Sequence, residues 1–373
     1  MSTGTYPHVN VAGSARECGR QYGEQARDRV ARSIAVYASA YRQTAGLSWA
    51  DALAVAGPFA AAIERFEPRY AEELRGLAEG AAQELDAILA LNVRTEIMLS
   101  ATARTTQRAG ECTAIAALPA ITDSGHTLLA QNWDWLPHTT DTLVVLEALP
   151  NGRPGYVTVV EAGLLAKAGM NSHGVGVATN ALISADDAGE AGVPYHVLLR
   201  GLLDAEDLST AVSTIERRER SSSANYLVAQ AGGQVVDVEA RPGDRSRLSL
   251  IEPQQGLLTH TNHFLGSPAV ADVGISWAPD SPLRLDRARE LLHRRDGAVS
   301  VAGLQAVLSD HANHPAGICT HADPSDAPMD QGQTAASLIM DLDERLLWLA
   351  DGNPCTAGYR RLDYSGSLGP GRP

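Results

Sequence analysis

"AGECTAIAALPA", residues 109–120, places Cys112 between two kinds of chain. The stretch before it, "ATARTTQRAGE" (101–111), is small, polar and arginine-bearing and reads as a surface loop. The stretch after it, "CTAIAALPAITDSGHTLLAQNWDW" (112–135), alternates, turns at Asp123-Ser124-Gly125 and alternates again, the pattern of a β-hairpin. Cys112 is therefore expected on the first residue of a strand, where a loop enters a sheet. Burial as a small hydrophobe is the ordinary fate of a free cysteine. A nucleophile is the sharper reading.

The change of period at Cys112 divides the whole chain. Residues 13 to about 108 read as helical: Leu74, Leu77, Ala81, Leu85 and Leu89 recur at three and four residues, and "GSARECGRQYGEQARDRVARSIAVYASAYR" is helix-like despite Gly19 and Gly23. Beyond residue 111, "TLVVLEAL", "YVTVVEAG", "GVGVATNAL", "ANYLVAQAGGQVVDVEA", "GLLTHTNHF" and "TAASLIMDLDERLLWLADG" read as strands, with tight turns at Asn151-Gly152 and Gly232-Gly233. Helical blocks beginning "PYHVLLRGLL", "DSPLRLDRARELL" and "SVAGLQAVL" lie between them. Hairpin-rich strands with helices in separate blocks predict an α+β fold of mainly antiparallel sheets covered by helices. The expected segments are 1–111, helical, and 112–373, carrying the sheets, with a disordered tail from about residue 364.

Bulk composition excludes more than it identifies. A formal charge of −14 argues against nucleic-acid or anionic-lipid partners. No apolar stretch reaches the ~20 residues of a membrane span, and "MSTGTYPHVNVAG" lacks the basic start and apolar run of a secretory signal. Cysteines 18, 112, 319 and 355 form no CxxC pair, so a reduced, cytoplasmic setting is expected. Lys167 is the one lysine among 30 Lys and Arg residues. It sits between two glycines in "EAGLLAKAGMN", and its compact ammonium fits where a guanidinium fork does not.

Suppose the Glu111–Cys112 bond is cut. Cys112 then carries both a thiol and a free α-amine, whose pKa of ~7.7–8 suits it to take the thiol proton and return it. One residue supplies nucleophile and base. The cut can be self-inflicted, because the thiol can attack the preceding carbonyl and pass through a hydrolysable thioester.

At "ECTAIAALP", "LLAQNWDW", "VVEAGLLAKAGMNSHGVGVATNAL", "GVPYHVLLR", "HTNHF" and "MDLDERLLWLADGNP" the sequence resembles the acyl-coenzyme A:6-aminopenicillanate acyltransferase family (isopenicillin N acyltransferase, peptidase C45). These are cysteine N-terminal-nucleophile hydrolases, and the likeness runs from "GSARECGRQYGEQ" to near "ADGNP". The resemblance implies a four-layer αββα fold and amide chemistry through an acyl-cysteine. It implies that Cys112 is the nucleophile, freed by cleavage after Glu111, and that the two fragments stay associated. Asp134 of "QNWDW" corresponds to the carboxylate that contacts the cysteine and its new amine, raising the base's proton affinity. Asn262 of "HTNHF" corresponds to the asparagine whose amide helps form the oxyanion hole, and Asn180 of "ATNAL" to the residue supporting that hole. A small-molecule acyl donor and an amine acceptor are the implied partners. No cofactor is expected beyond an acyl-CoA or other acyl donor as co-substrate. The chain departs from the family in two places. Glu111 stands where the penicillin-pathway member has glycine, and Gln333-Thr334 and Thr320 stand where it has a Ser-Thr pair and an arginine, so slower cleavage and a substrate other than penicillin are expected.

Other groups carry weaker signals. Lys167, Tyr195, His196 and Asn225 are candidates for the substrate side; a helix start accounts equally for Tyr195 and His196. His260 shares a strand face with Asn262, so a Cys112–His260 dyad is conceivable, but a terminal amine would make it redundant. His311, His314, Cys319 and His321 fall within eleven residues, but without an HExxH arrangement the spacing is a weak metal signal, and no metal is expected. Cys18, Cys319 and Cys355 read as packing residues. Two alternatives stand beside the enzyme reading: an uncleaved relative acting as a binding module, and a zinc-dependent hydrolase.

Overall fold

The computed structural model describes residues 5–102, 112–187, 190–216, 220–266, 270–294, 297–327 and 330–369. The chain opens with strand β1 (His8–Gly13), followed by helices α1 (Ala15–Gln25), α2 (Arg27–Ala40), α3 (Trp49–Ala56), α4 (Phe59–Phe66), α5 (Pro68–Ala81), α6 (Leu85–Asn92) and α7 (Arg94–Thr102). Strands β2 (Cys112–Ala117), β3 (Leu128–Trp135), β4 (Leu143–Pro150), β5 (Tyr156–Glu161), β6 (Ala168–Asn171) and β7 (Val175–Ala181) come next. After them come α8 (Tyr195–Leu203), α9 (Leu208–Glu216), β8 (Ala224–Gln230), β9 (Gln234–Ala240), β10 (Leu248–Ile251) and β11 (Leu257–His260). The chain closes with α10 (Ser281–His293), α11 (Val301–Leu308), β12 (Gln333–Asp341), β13 (Leu346–Ala350), α12 (Pro354–Ala357), β14 (Arg360–Asp363) and α13 (Ser365–Leu368).

The strands form two sheets. One has the order β1-β4-β5-β6-β7-β8-β9-β10 and the other β11-β2-β3-β12-β13-β14. Every pairing between named strands is antiparallel except β1 with β4. The sheets stack face to face, with β7 over β2 and β3. Strand alternation assigns the faces. Cys112, Ala114 and Ala116 of β2 join the large core between the sheets, whereas Ile115 and Ala117 pack outward with Ala288, Leu292, Leu304 and Leu308 of α10 and α11. Gln131 of β3 bridges the sheets, its amide donating to Thr179 O (2.5 Å) and its Oε1 accepting from Thr179 N (3.0 Å). The expected α+β, four-layer αββα arrangement is the one observed.

Three local expectations are corrected. The N-terminal segment is not purely helical: "HVNVAG" buries alternate residues and adds β1 to the eight-stranded sheet. The stripe from Leu74 to Leu89 is not one helix, because α5 ends at Ala82 in the left-handed region (φ 53°) and leaves Leu85 exposed. Nor is the tail disordered from residue 364, since Tyr364 and Leu368 are buried and residues 365–368 form a helical turn. Residues 103–111, including the expected loop and Glu111, lie outside the described residues.

Gly19 and Gly23, which looked like flaws in a helix, are where α1 crosses α5. A Cβ at Gly19 would stand 2.0 Å from Glu73 O, and one at Gly76 would stand 2.1 Å from Arg16 O. Only hydrogen lets the two backbones approach so closely. Gly76→Ala should therefore destabilise the protein by about 1–3 kcal/mol through overpacking, despite a helix-propensity gain of ~1 kcal/mol. Gly366→Ala, with open space around its Cβ, is the control. Urea midpoints measure the difference, and equal midpoints for the two variants would refute the close crossing.

Candidate active site

Register brings the candidate residues together. Within the six-stranded sheet Cys112 faces Trp133 across the β2–β3 ladder, and Asp134 faces Thr334 across β3–β12. On the other side of β2, His260 faces Ala114, and the chain continues past β11 so that Asn262 comes level with Cys112. Asn262 Oδ1 accepts the Cys112 N–H at 2.7 Å, and its amide donates to Ala181 O at 3.0 Å. Ser281 Oγ accepts the Asn262 N–H at 2.7 Å and fixes the turn.

The Cys112 carbonyl is held from two directions. Asn180, on β7 of the facing sheet, donates to it at 3.0 Å. Asn225 stands opposite Asn180 in the β7–β8 ladder and donates to Asn180 Oδ1 at 3.1 Å. From α10, Arg284 Nη1 donates to the same carbonyl at 2.9 Å while Nη2 reaches Asn262 Oδ1 at 3.1 Å. Asp280 anchors the fork, accepting from Arg284 Nε at 2.7 Å.

The charges around the thiol oppose one another. Burial pushes the Cys112 pKa up; Lys167 is the strongest opposing influence, the Asp134 carboxylate adds to the rise, and the Asp134 backbone N–H and Arg284 favour the thiolate. Burial also lifts Asp134 to about 7, against Arg284 and the Thr334 and Thr320 hydroxyls. Thr334 Oγ1 donates to Asp134 Oδ1 at 2.6 Å, whereas Oδ2 is buried with no hydrogen bond among the described residues. Thr334 in turn accepts from the Thr320 N–H at 3.0 Å. Thr334 and Thr320 therefore hold the carboxylate.

Lys167 is buried just before β6. Its Nζ donates to Tyr195 Oη at 2.9 Å and lies 4.7 Å from the Tyr195 ring centroid and 5.5 Å from that of Trp133. Burial lowers its pKa to about 8, and coupling to Cys112 is the largest influence in the other direction. Tyr195 opens α8, and its hydroxyl also meets Thr179 Oγ1 at 2.6 Å. His196 is fully buried, with Nδ1 on Ala166 O at 2.9 Å, and burial drives its pKa well down. The pair does mark a helix start, and Tyr195 also reaches Lys167.

His260 does not serve Cys112. Both ring nitrogens are engaged, Nδ1 with Thr261 O at 2.7 Å and Nε2 with Glu239 Oε1 at 3.0 Å. Burial opposes its charge, but Asp237 and Glu239 overcome that and raise its pKa. An imidazolium held in this way is a cation, not a base.

Residues 121–355 match the family described as "Acyl-coenzyme A:6-aminopenicillanic acid acyl-transferase". The chain belongs to that family. A curated relative, the 40 kDa form of acyl-coenzyme A:6-aminopenicillanic-acid-acyltransferase of Emericella nidulans, is 27% identical over 312 residues, 84% of each chain. Two solved structures are also similar. A mutant of conjugated bile acid hydrolase from Clostridium perfringens has 11% identity, covers 69% of this chain and 94% of that one, and gives a TM-score of 0.48. Penicillin V acylase from Agrobacterium tumefaciens has 14% identity, with 68% and 87% covered and a TM-score of 0.43. Membership of the acyltransferase family makes this chain an enzyme acting on amides, by acyl transfer or hydrolysis.

Arg284 escaped the sequence reading. It is one of many arginines on an ordinary helix, and nothing in its neighbourhood marks it. Its bonds to Asp280, Cys112 O, Thr113 and Asn262 need the planar fork, which lysine lacks. Arg284→Lys should cost ~1.5–3 kcal/mol, the usual worth of a hydrogen bond to a charged group. Thermal denaturation reads the loss, and an unchanged melt would show that the fork is dispensable.

Proposed function

We propose that this family member is a self-processing amide acyltransferase or amidohydrolase that works through acyl-Cys112 on a small N-acyl substrate. The observation that carries the reading is the hold on Cys112. Its amide rests on Asn262, its carbonyl on Asn180 and Arg284, and its thiol is coupled to Lys167 and Asp134.

In the first step Sγ attacks the Glu111 carbonyl, the Cys112 nitrogen leaves and takes a proton, and water hydrolyses the thioester. A peptide nitrogen cannot act as base before the cut, so the uncut chain needs another group to take the thiol proton. Lys167 is suited to it, with its pKa lowered to about 8 and a hydroxyl rather than a carboxylate as its hydrogen-bond partner. After the cut, the new α-amine inherits Asn262 Oδ1 as its acceptor, and the Asp134 carboxylate favours its ammonium form. The amine then takes the thiol proton as Cys112 attacks the substrate acyl group, and returns it to the leaving group. An acyl-CoA or similar thioester is the proposed donor and an amine the acceptor, by the name of the Emericella relative. Transfer dominates where the amine is held and water is kept out.

Wild-type protein should yield fragments of about 12 and 28 kDa, apportioning the 39.4 kDa chain by residue count, with a new N-terminus at Cys112. Cys112→Ala should stay whole on intact-mass analysis. Efficient cutting of that variant would end the self-processing mechanism, and a wild type that never cuts would favour the binding-module alternative. Asn262→Ala should slow formation of acyl-Cys112 by ~10²–10³-fold, the usual loss of one oxyanion donor.

The role of Lys167 has its own pH signature. An amine accepts protons only above its pKa, so cleavage of freshly purified precursor should rise with pH and level off above about 8. Lys167→Met should slow it by ~10²-fold or more. Lys167→Arg keeps the charge but cannot deprotonate near neutral pH, so it should be equally slow. If Lys167→Arg cleaves at the wild-type rate, Lys167 acts through its charge and not as a base.

A further inference from the structure

The loop after α11 and the start of α12 bring together four side chains that the reaction does not use. His311, Cys319, His321 and Cys355 direct one ligand atom each into a common space, all four atoms within 4.8 Å of one another. The separations are 3.6 Å between the two sulfurs, 3.5 Å from each sulfur to His321 Nε2, and 3.0 Å between the His311 and His321 Nε2 atoms. A tetrahedral zinc ion with bonds of ~2.3 Å to sulfur and ~2.0–2.1 Å to nitrogen needs edges of about 3.8 Å (S–S), about 3.6 Å (S–N) and about 3.3 Å (N–N). The observed edges follow the same order. Hydrogen bonding does not account for the convergence, because one ring nitrogen cannot serve three partners at once.

We propose that His311, Cys319, His321 and Cys355 form a Cys2His2 site for a structural zinc ion. Two thiolates and two imidazoles are the donor set that suits zinc over calcium or magnesium, and four protein ligands leave no open position for substrate. On binding, each thiol releases its proton to solvent, so the two thiolates balance the charge of the dication. His311 and Cys355 are exposed and give the ion a way in, while Cys319 is buried. A supporting shell is present: the Asn353 amide donates to Cys319 Sγ at 3.5 Å and to Thr320 O at 2.7 Å. Such partners orient ligands and tune affinity.

The expectation of no metal, and of Cys319 and Cys355 as packing residues, rested on spacing alone. Cys355 lies 34 residues beyond His321 in sequence and meets it only in the fold. The site also bears on the catalytic centre. Thr320 stands between two ligands, and it pairs with Thr334, which holds Asp134. A bound ion would thus brace the strand that positions the carboxylate from outside the reaction. This separates it from the zinc-hydrolase alternative, in which the metal itself would act on substrate.

The test is metal content of the full-length protein expressed with zinc in the medium and purified without chelator. Mass-spectrometric elemental analysis should find about one zinc per chain, and Cys319→Ser and Cys355→Ser should each lower it at least about tenfold. Cys355 is exposed, so its variant should fold even if Cys319→Ser does not. Cobalt(II) added to metal-stripped protein should develop the visible bands of a tetrahedral thiolate site in wild type and not in Cys355→Ser. Asn353→Ala should weaken zinc affinity by ~10–100-fold. Substoichiometric zinc that is unchanged by Cys355→Ser, or a Cys319–Cys355 disulfide in the non-reduced wild type, would overturn the assignment.

Discussion

Everything at the centre of this molecule follows from one problem, which is how to bury the polar backbone of the first residue of a central strand. Buried N–H and C=O groups must be paired, and at Cys112 the pairing comes from side chains: Asn262 for the amide, Asn180 and Arg284 for the carbonyl. These partners come from the end of one strand, the facing sheet and a covering helix. The two sheets and the helix layer must therefore all be in register before the residue is satisfied. A site built in this way is rigid by construction, because each partner is itself held by a further bond, Asn180 by Asn225 and Arg284 by Asp280.

The buried charges divide into two kinds. Arg200 meets Glu73 and Asp204, and Arg94 meets Glu161, so each guanidinium has a carboxylate and its charge is fixed. Burying such ions is costly, but pairing offsets much of the cost. Lys167 differs, since its nearest partners are a phenol hydroxyl and two aromatic faces. These stabilise the ammonium only in part, and burial lowers its pKa to about 8 against the pull of Cys112. A chain that writes arginine almost everywhere else has its lone lysine buried against Tyr195 and Trp133.

Much of this was legible in the sequence. Period and turn residues marked the helix-to-strand change at Cys112 and the antiparallel hairpins β2–β3, β4–β5 and β8–β9, because alternation and turn residues are local signals. Cys112 stood out by its place at the change of period, Asp134, Asn180 and Asn262 were named through the family resemblance, and the fold brings Asn180 and Asn262 onto the backbone of Cys112. The oddity of a single lysine pointed to Lys167 before any contact was known. What failed was also local reasoning. "HVNVAG" is too short for periodicity to separate a strand from an irregular leader, and only its parallel pairing with β4 makes it one.

Arg284 and Cys355 show where sequence reading stops. Each gains its role from partners far along the chain: Arg284 at Cys112 O, 172 residues away, and Cys355 at His321, 34 residues away. Gly19 and Gly23 of α1 were read as weaknesses because their benefit appears only when two backbones touch. The sequence by itself determined the order and type of most elements and the chemistry available at the head of β2, since those depend on neighbours within a few residues. Tertiary structure decided which arginine completes the site and which cysteine completes the Cys2His2 cluster, because those depend on distance and burial, and no local pattern carries either.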